Sequence, residues 1–246
     1  MILIGQLSFF LFLDVVFGGS VAEYIGHKCF NQLEFSTDKS YVIKLNSLLQ
    51  QLSEKYSHGY QSGIRYSKST YINGLSQCWS NSSCSVCRSC IRLAIQTIRI
   101  LCLKKKGAII WYDDCLLKYS NEHFLDRSDT VSCIFVMNRT LPDHPLLLYH
   151  KVHDDLVAQL CCKAYVNKFL YTHGILQLGI WTNSVYGAAQ CTRDLTSIEC
   201  KNCFDVAMSE LLNQSYELSG GHAYYGSCYI RFELYLFIYI MSKQII

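Results

Sequence analysis

Charge is scarce in this chain: Asp, Glu, Lys and Arg make up 17% of its 246 residues, and the formal net charge is only +3. So small a balance, with 50% of the residues hydrophobic, excludes an intrinsically disordered chain. It also offers no footprint for nucleic acid or a membrane surface, because the one run of like charge, Lys104-Lys105-Lys106, reads as a solvated loop. Long apolar runs are missing as well. The stretch from Ile2 to Phe17 is interrupted by Gln6 and Asp14, and the one from Tyr235 to Met241 is shorter still. Neither reaches the ~20 residues that a membrane-crossing helix needs. No glycine-rich phosphate loop, no nucleophile elbow and no paired acids in a recognisable setting occur, so neither an enzyme nor a cofactor is expected.

What is present at the N-terminus is an apolar segment followed by small residues. Ser20 and Ala22 suit the −3 and −1 positions of a signal-peptide site, so residues 1–22 are expected to be removed by cleavage before Glu23. Export places the cysteines in an oxidising compartment. Three glycosylation sequons, at Asn81, Asn138 and Asn213, agree with that route.

Cysteine is abundant, with 14 in the chain, and four of them crowd into "CWSNSSCSVCRSC" from Cys78 to Cys90. Three follow the pattern Cys-x8-Cys-x2-Cys as Cys78, Cys87 and Cys90. The pattern recurs 113 positions later as Cys191, Cys200 and Cys203, and Cys115 recurs at the same offset as Cys228. Neighbouring residues keep the register: "YINGLSQC" lies over "SVYGAAQC", "WYDDC" over "YYGSC", and Phe124 over Phe237. The chain is a tandem duplication of a module of about a hundred residues. The modules are expected at 23–125 and 142–240. A polar linker at 126–141 borders Pro142 and Pro145, the only prolines.

Within each copy the apolar spacing predicts helices and then strands. Leu45, Leu48, Leu49, Leu52 and Tyr56 form one helical face. At the 113-residue offset they become Ala158, Cys161, Cys162, Tyr165 and Phe169, which makes Cys161 and Cys162 small buried hydrophobes, with a metal pair or a vicinal disulfide as the other reading. A second stripe runs through Ile91, Ala94, Ile95, Ile98 and Leu101, answered by Phe204, Ala207, Met208, Leu211 and Gln214. The β-rich segments "GAIIWYDD", "LLKYS", "GHAYYGS" and "YIRFELYLF" follow. Each copy therefore reads as an α+β module with helices on one face of an antiparallel sheet.

These motifs resemble the plant cysteine-rich repeat secretory proteins, whose unit is the stress-antifungal, or ginkbilobin-like, domain. The resemblance covers both copies. It implies two helices on a five-stranded antiparallel sheet in each module, and the pairs Cys78–Cys87, Cys90–Cys115, Cys191–Cys200 and Cys203–Cys228. It further implies Cys29–Cys102 in the first copy alone, since Ser215 replaces the second partner and the counterpart of Cys29 falls near Pro142. Cys84, Cys133, Cys161 and Cys162 remain unassigned.

The resemblance also implies a mannose site built from an Asn after the first cysteine, an Arg six residues before the last cysteine, and a Glu five residues after it. The first copy offers Phe30, Ile109 and Ser120 there. The second offers His222 and Glu233 without the Asn, and Glu233 could instead be a strand carboxylate paired with Arg231. Zinc at the Cys-x2-Cys pairs is disfavoured because zinc knuckles sit about 15–20 residues apart. His144, His150, His153 and Asp154 could hold a metal or simply line an exposed helix.

The expected protein is thus secreted to the apoplast and non-enzymatic, binding a cell-wall or microbial glycan or an extracellular protein in stress or defence. It would have no nucleic-acid partner and no membrane span once the signal is removed. Two other readings stay open: a structural protein whose modules pack on each other or on homologues as a homo- or hetero-oligomer, and a thiol redox sensor. The 13% aromatic content would serve a ligand site or a packing interface equally.

Overall fold

The computed structural model describes residues 22–30, 39–54, 59–67, 70–79, 82–138, 145–178, 184–214 and 219–237. The expected signal peptide up to residue 21, Tyr56, Asn81, His144 and Ser215 lie outside this set.

Two five-stranded antiparallel sheets form, with the same strand order. The first contains β1 (Tyr24–Cys29), β2 (Tyr60–Tyr66), β3 (Tyr71–Cys78), β4 (Gly107–Tyr112) and β5 (Cys115–Ser120), ordered β1-β4-β5-β3-β2. The second contains β6 (Cys133–Asn138), β7 (Tyr171–Gln177), β8 (Ser184–Cys191), β9 (Gly220–Tyr225) and β10 (Cys228–Glu233), ordered β6-β9-β10-β8-β7. Helices α1 (Lys39–Glu54) and α2 (Cys84–Leu101) cover one face of the first sheet. On the second lie α3 (Pro145–His150), a π-helical stretch (Lys151–Val157), α4 (Ala158–Val166) and α5 (Ser197–Gln214). The Ser83 hydroxyl caps α2 by accepting from the Val86 N–H, and Thr196 accepts from the Glu199 N–H at the start of α5.

The α+β double module is therefore present, and it is stapled. Cys29–Cys102, Cys78–Cys87, Cys90–Cys115, Cys191–Cys200 and Cys203–Cys228 are all bridged. Cys84, Cys133, Cys161 and Cys162 are free thiols.

The 113-residue offset fails at the front of the second module. A Cβ on Gly74 would lie 3.1 Å from both Leu48 and Leu52, while one on its counterpart Gly187 would lie 2.6 Å from Leu160 and 3.0 Å from Leu156. Leu48 and Leu52 thus match Leu156 and Leu160, an offset of 108. The difference arises in helix α4, which runs on to Val166 past Leu160 whereas α1 stops at Glu54 just past Leu52, and in the connection from β7 to β8, which is longer than that from β2 to β3. The buried helical face is accordingly Leu148, Val152, Leu156, Val157, Leu160, Cys161 and Ala164. Cys161 is buried as expected, but Cys162 and Phe169 are exposed and Tyr165 is half-buried.

The segment expected as a linker at 126–141 is only partly one. Its residues Cys133–Asn138 are the edge strand β6, so the second module is structured before residue 142. Met137, paired with Gly221, holds the position that Cys29 holds opposite Ala108. Its sulfur packs over Gly221 where the first module has a disulfide.

The sheet faces turned away from the helices pack on each other. Trp79 stacks on Tyr229 with ring centroids 4.7 Å apart, and Trp111, Ile109, Leu116 and Tyr224 fill the same layer. Both faces of β4 and β5 are thereby covered, which explains why "GAIIWY" is apolar without alternation. Buried polar groups cross the seam. Gln77 donates to the Cys191 carbonyl at 2.8 Å, Gln190 to the Cys78 carbonyl at 3.4 Å, and the Trp111 indole to the Tyr225 carbonyl at 3.0 Å. Much of the aromatic content is thus used between the modules.

Candidate functional site

The register of β6 on β9 assembles the site. Val136 lies opposite His222 and Asn138 opposite Gly220, while β10 places Arg231 beside His222 and Glu233 beside Gly220. Asn138, His222, Tyr224, Arg231, Glu233 and Tyr235 line one cavity of about 250 Å³. The first module closes its rim with Glu23, Ile25 and Asp113.

His222 and Glu233, the two site residues read from the sequence, are brought together. His222 Nε2 donates to Glu233 Oε1 at 2.5 Å, and its Nδ1 lies 3.3 Å from the Tyr224 hydroxyl. Tyr235 donates to the same carboxylate oxygen at 3.2 Å, and Arg231 stands 3.7 Å from it. Burial holds the His222 imidazole below its ordinary pKa, against the upward pull of Glu233, so the ring is neutral at pH 7.

Glu233 is 2% exposed, and its Oε2 has no hydrogen-bond partner among the described residues. That oxygen fits because β9 begins with glycine: a Cβ on Gly220 would come within 2.0 Å of it. Arg231 Nε is buried and has no hydrogen-bond partner among the described residues either, while its guanidinium carbon sits 3.9 Å above the Phe237 ring. A buried carboxylate oxygen and a buried guanidinium N–H are both costly to leave unsatisfied.

Asn138 is the residue that the sequence did not place. Expected in a linker as a glycan acceptor, it ends β6 and is half-buried. It stands one position after Met137 as Phe30 stands after Cys29, so it occupies the position where the resemblance calls for the Asn. A usable signal existed in the helix pattern, where Leu48-Leu49-x-x-Leu52 recurs as Leu156-Val157-x-x-Leu160 and gives the same offset.

At the rim, the Glu23 N–H donates to Asp113 Oδ1 at 2.7 Å. Burial, reinforced by neighbouring Asp114, pushes the Asp113 carboxyl up to about 6.

The corresponding place in the first module is differently furnished. Phe30 crowds Gly107, Ile109 and Ser120 replace His222 and Glu233, and Lys118 replaces Arg231. Lys118 is committed to Asp129 at 2.7 Å and lies 4.4 Å from the Phe124 ring.

The other sequence candidates do not converge on this site. His150 is exposed at the end of α3, and Asn213 is exposed in the last turn of α5. The one group of potential metal ligands among the described residues is His27 with Cys29 and Cys102, whose sulfurs are tied up in a disulfide. No described helix is long and apolar enough to cross a membrane.

Comparisons with known proteins agree with this architecture. The model of the family described as salt stress response/antifungal matches twice, at residues 28–122 and 143–235. An antimicrobial ginkbilobin-2-like protein of Castanea crenata is 38% identical over 234 residues, covering 95% of this chain and 96% of its own. Cysteine-rich repeat secretory protein 38 of Arabidopsis thaliana is 35% identical over 219 residues, covering 87% and 86% respectively. The tandem DUF26 ectodomain of the Arabidopsis thaliana cysteine-rich receptor-like protein PDLP5 shares the fold, with a TM-score of 0.68 at 22% identity over 86% of this chain and 99% of that one.

Proposed function

The chain belongs to the salt stress response/antifungal family, and from that premise we propose a secreted, non-enzymatic plant protein whose second module binds one sugar residue, with mannose the first to test. The convergence of Asn138 with His222, Arg231 and Glu233 in one small cavity carries this reading. An amide both donates and accepts, a carboxylate accepts, and a guanidinium donates at fixed angles, which suits vicinal hydroxyls. Among the described residues the buried Glu233 Oε2 and Arg231 Nε each lack a partner, which a hydroxyl can supply. A volume of about 250 Å³ lies below the ~300–1,000 Å³ of pockets for drug-sized ligands and favours a single ring over an extended oligosaccharide.

His222 stands where the family resemblance calls for arginine. A neutral imidazole lacks the guanidinium fork, so binding to this chain is weaker than a full Asn-Arg-Glu set would give. Export is part of the same reading. Cleavage before Glu23 turns the N–H that bonds Asp113 into an ammonium at the cavity rim, which N-terminal sequencing of the exported protein tests.

Titration calorimetry with mannose and with galactose, on the oxidised protein, tests the ligand. Binding of mannose that falls at least tenfold in Glu233→Gln and in Asn138→Ala supports the reading. A folded protein that binds neither sugar at millimolar concentration overturns it.

A further inference from the structure

Helix α2 carries a pattern that the sugar cavity does not use. At about 100° per residue, Arg88, Arg92 and Arg99 fall within about 40° of one another. That stripe faces away from the sheet, opposite the buried Cys90, Ala94 and Ile98. All three arginines are exposed, as is Lys104 just past the helix, and no carboxylate pairs with any of the four among the described residues. The surrounding sequence is as one-sided. From Lys55 to Tyr112 it holds nine Lys or Arg and no Asp or Glu, a bias that the net charge of +3 conceals.

At the C-terminal end of the stripe, apolar side chains stand in solvent. Ile100 is 76% exposed, Leu103 67% and Leu101 43%. Cys102, between them, is buried and bridged to Cys29, so this tip is anchored to β1. The second module lacks the pattern. At the 113-residue offset Arg88, Arg92 and Arg99 become Lys201, Asp205 and Leu212, of which Lys201 and Asp205 neutralise each other at 2.6 Å, and Ile100 becomes the polar Asn213.

We propose that this face of α2 seats the protein on an anionic lipid bilayer. The arginine stripe and Lys104 contact the headgroups, and Ile100 and Leu103 enter the boundary with the acyl chains. Cations beside exposed aliphatic side chains match the two halves of that interface. A water-soluble polyanion would engage the arginines but leave the aliphatic tip in water.

The test is co-sedimentation of the disulfide-bonded full chain with vesicles of phosphatidylcholine alone and of phosphatidylcholine mixed with phosphatidylserine. The protein partitions onto the mixed vesicles only, and salt weakens the binding. Arg92→Glu with Arg99→Glu reduces partitioning by at least 25-fold, at about fivefold for each cation lost. Ile100→Ser with Leu103→Ser reduces it about tenfold or more without changing the salt dependence. Lys201→Glu on α5 leaves it unchanged. These positions are exposed, and unaltered thermal unfolding verifies that each variant is folded. Three results overturn the proposal: no dependence on phosphatidylserine, equal binding to dextran sulfate with no effect of the Ile100 and Leu103 changes, or sedimentation caused by self-association without vesicles.

Discussion

Replacing Asp129 by Asn removes one charge from a buried pair and nothing else of comparable size. Lys118 is 3% exposed and Asp129 17%, and their charged atoms are 2.7 Å apart. Asp129 Oδ1 also accepts from the Val131 and Ser132 amides, at 3.1 and 3.0 Å, and its own N–H donates to Ser227 Oγ at 2.9 Å. Asparagine keeps the Oδ1 acceptor and the backbone bond, but it turns an NH2 toward the Lys118 ammonium. The ammonium is then left buried without a paired carboxylate, with the Phe124 ring and the charge of Asp194 as its remaining compensation. Removing one partner of such a pair costs about 3–5 kcal/mol, whereas an exposed pair is worth about 0–1 kcal/mol. For a chain of this size the loss lowers Tm by about 6–20 °C.

The pH dependence follows from the carboxyl. Burial raises the Asp129 pKa, but the Lys118 ammonium and the Ser132 and Val131 amides more than offset this and hold it below the ordinary value. A folded pKa below the unfolded ~3.9 contributes stability that is fully present above that value and is lost as pH falls through the folded pKa. The gap between wild type and Asp129→Asn is therefore widest above about pH 5 and closes progressively below about pH 4. Denaturant melts of the oxidised protein at pH 7, 5 and 3 measure it. A loss under 1 kcal/mol at pH 7 would refute the burial argument. The double change Lys118→Met with Asp129→Leu should recover most of the stability, because no charge is left stranded.

Three further outcomes are expected. Cys29→Ser with Cys102→Ser opens a closure spanning 73 positions and lowers first-module stability by roughly 4 kcal/mol on the loop-entropy expression, read in denaturant melts; a change under 1 kcal/mol would count against that role. When the protein is secreted from a eukaryotic host and resolved by glycopeptide mass spectrometry, any fraction glycosylated at Asn138 should fail to bind mannose, because that side chain lines the cavity; equal binding by both fractions would remove Asn138 from the site. Alkylation of the native protein should label the exposed Cys84 and Cys162 quickly and the buried Cys161, whose thiol burial pushes far up, only on unfolding; equal rates at Cys161 and Cys162 would contradict the burial of Cys161.

What the sequence by itself determined was whatever repeats locally and rigidly. Cys-x8-Cys-x2-Cys, the strands beside it and the helix carrying its last two cysteines lie within one short span of each copy, so one offset located them all. The first helix and edge strand of the second module escaped that offset because α4 runs further past its core leucines and the β7–β8 connection is longer, and element ends and loops absorb insertions without disturbing the core. The 108-residue register is faintly legible in the leucine spacing of the helix, but only the tertiary structure carried it to the edge strand and brought Asn138 to Glu233 across the pairing of β6, β9 and β10. The same holds for the seam between the sheets. The alternation of β4 and β5 was erased by burial on both faces, and nothing local in Gln77, Gln190 or Trp111 announces which carbonyl each will meet. The cationic stripe on α2 was written in the sequence all along. Three arginines separated by four and seven residues became one surface only once the helix was packed and its opposite face buried, because exposure is a property of the assembled layers.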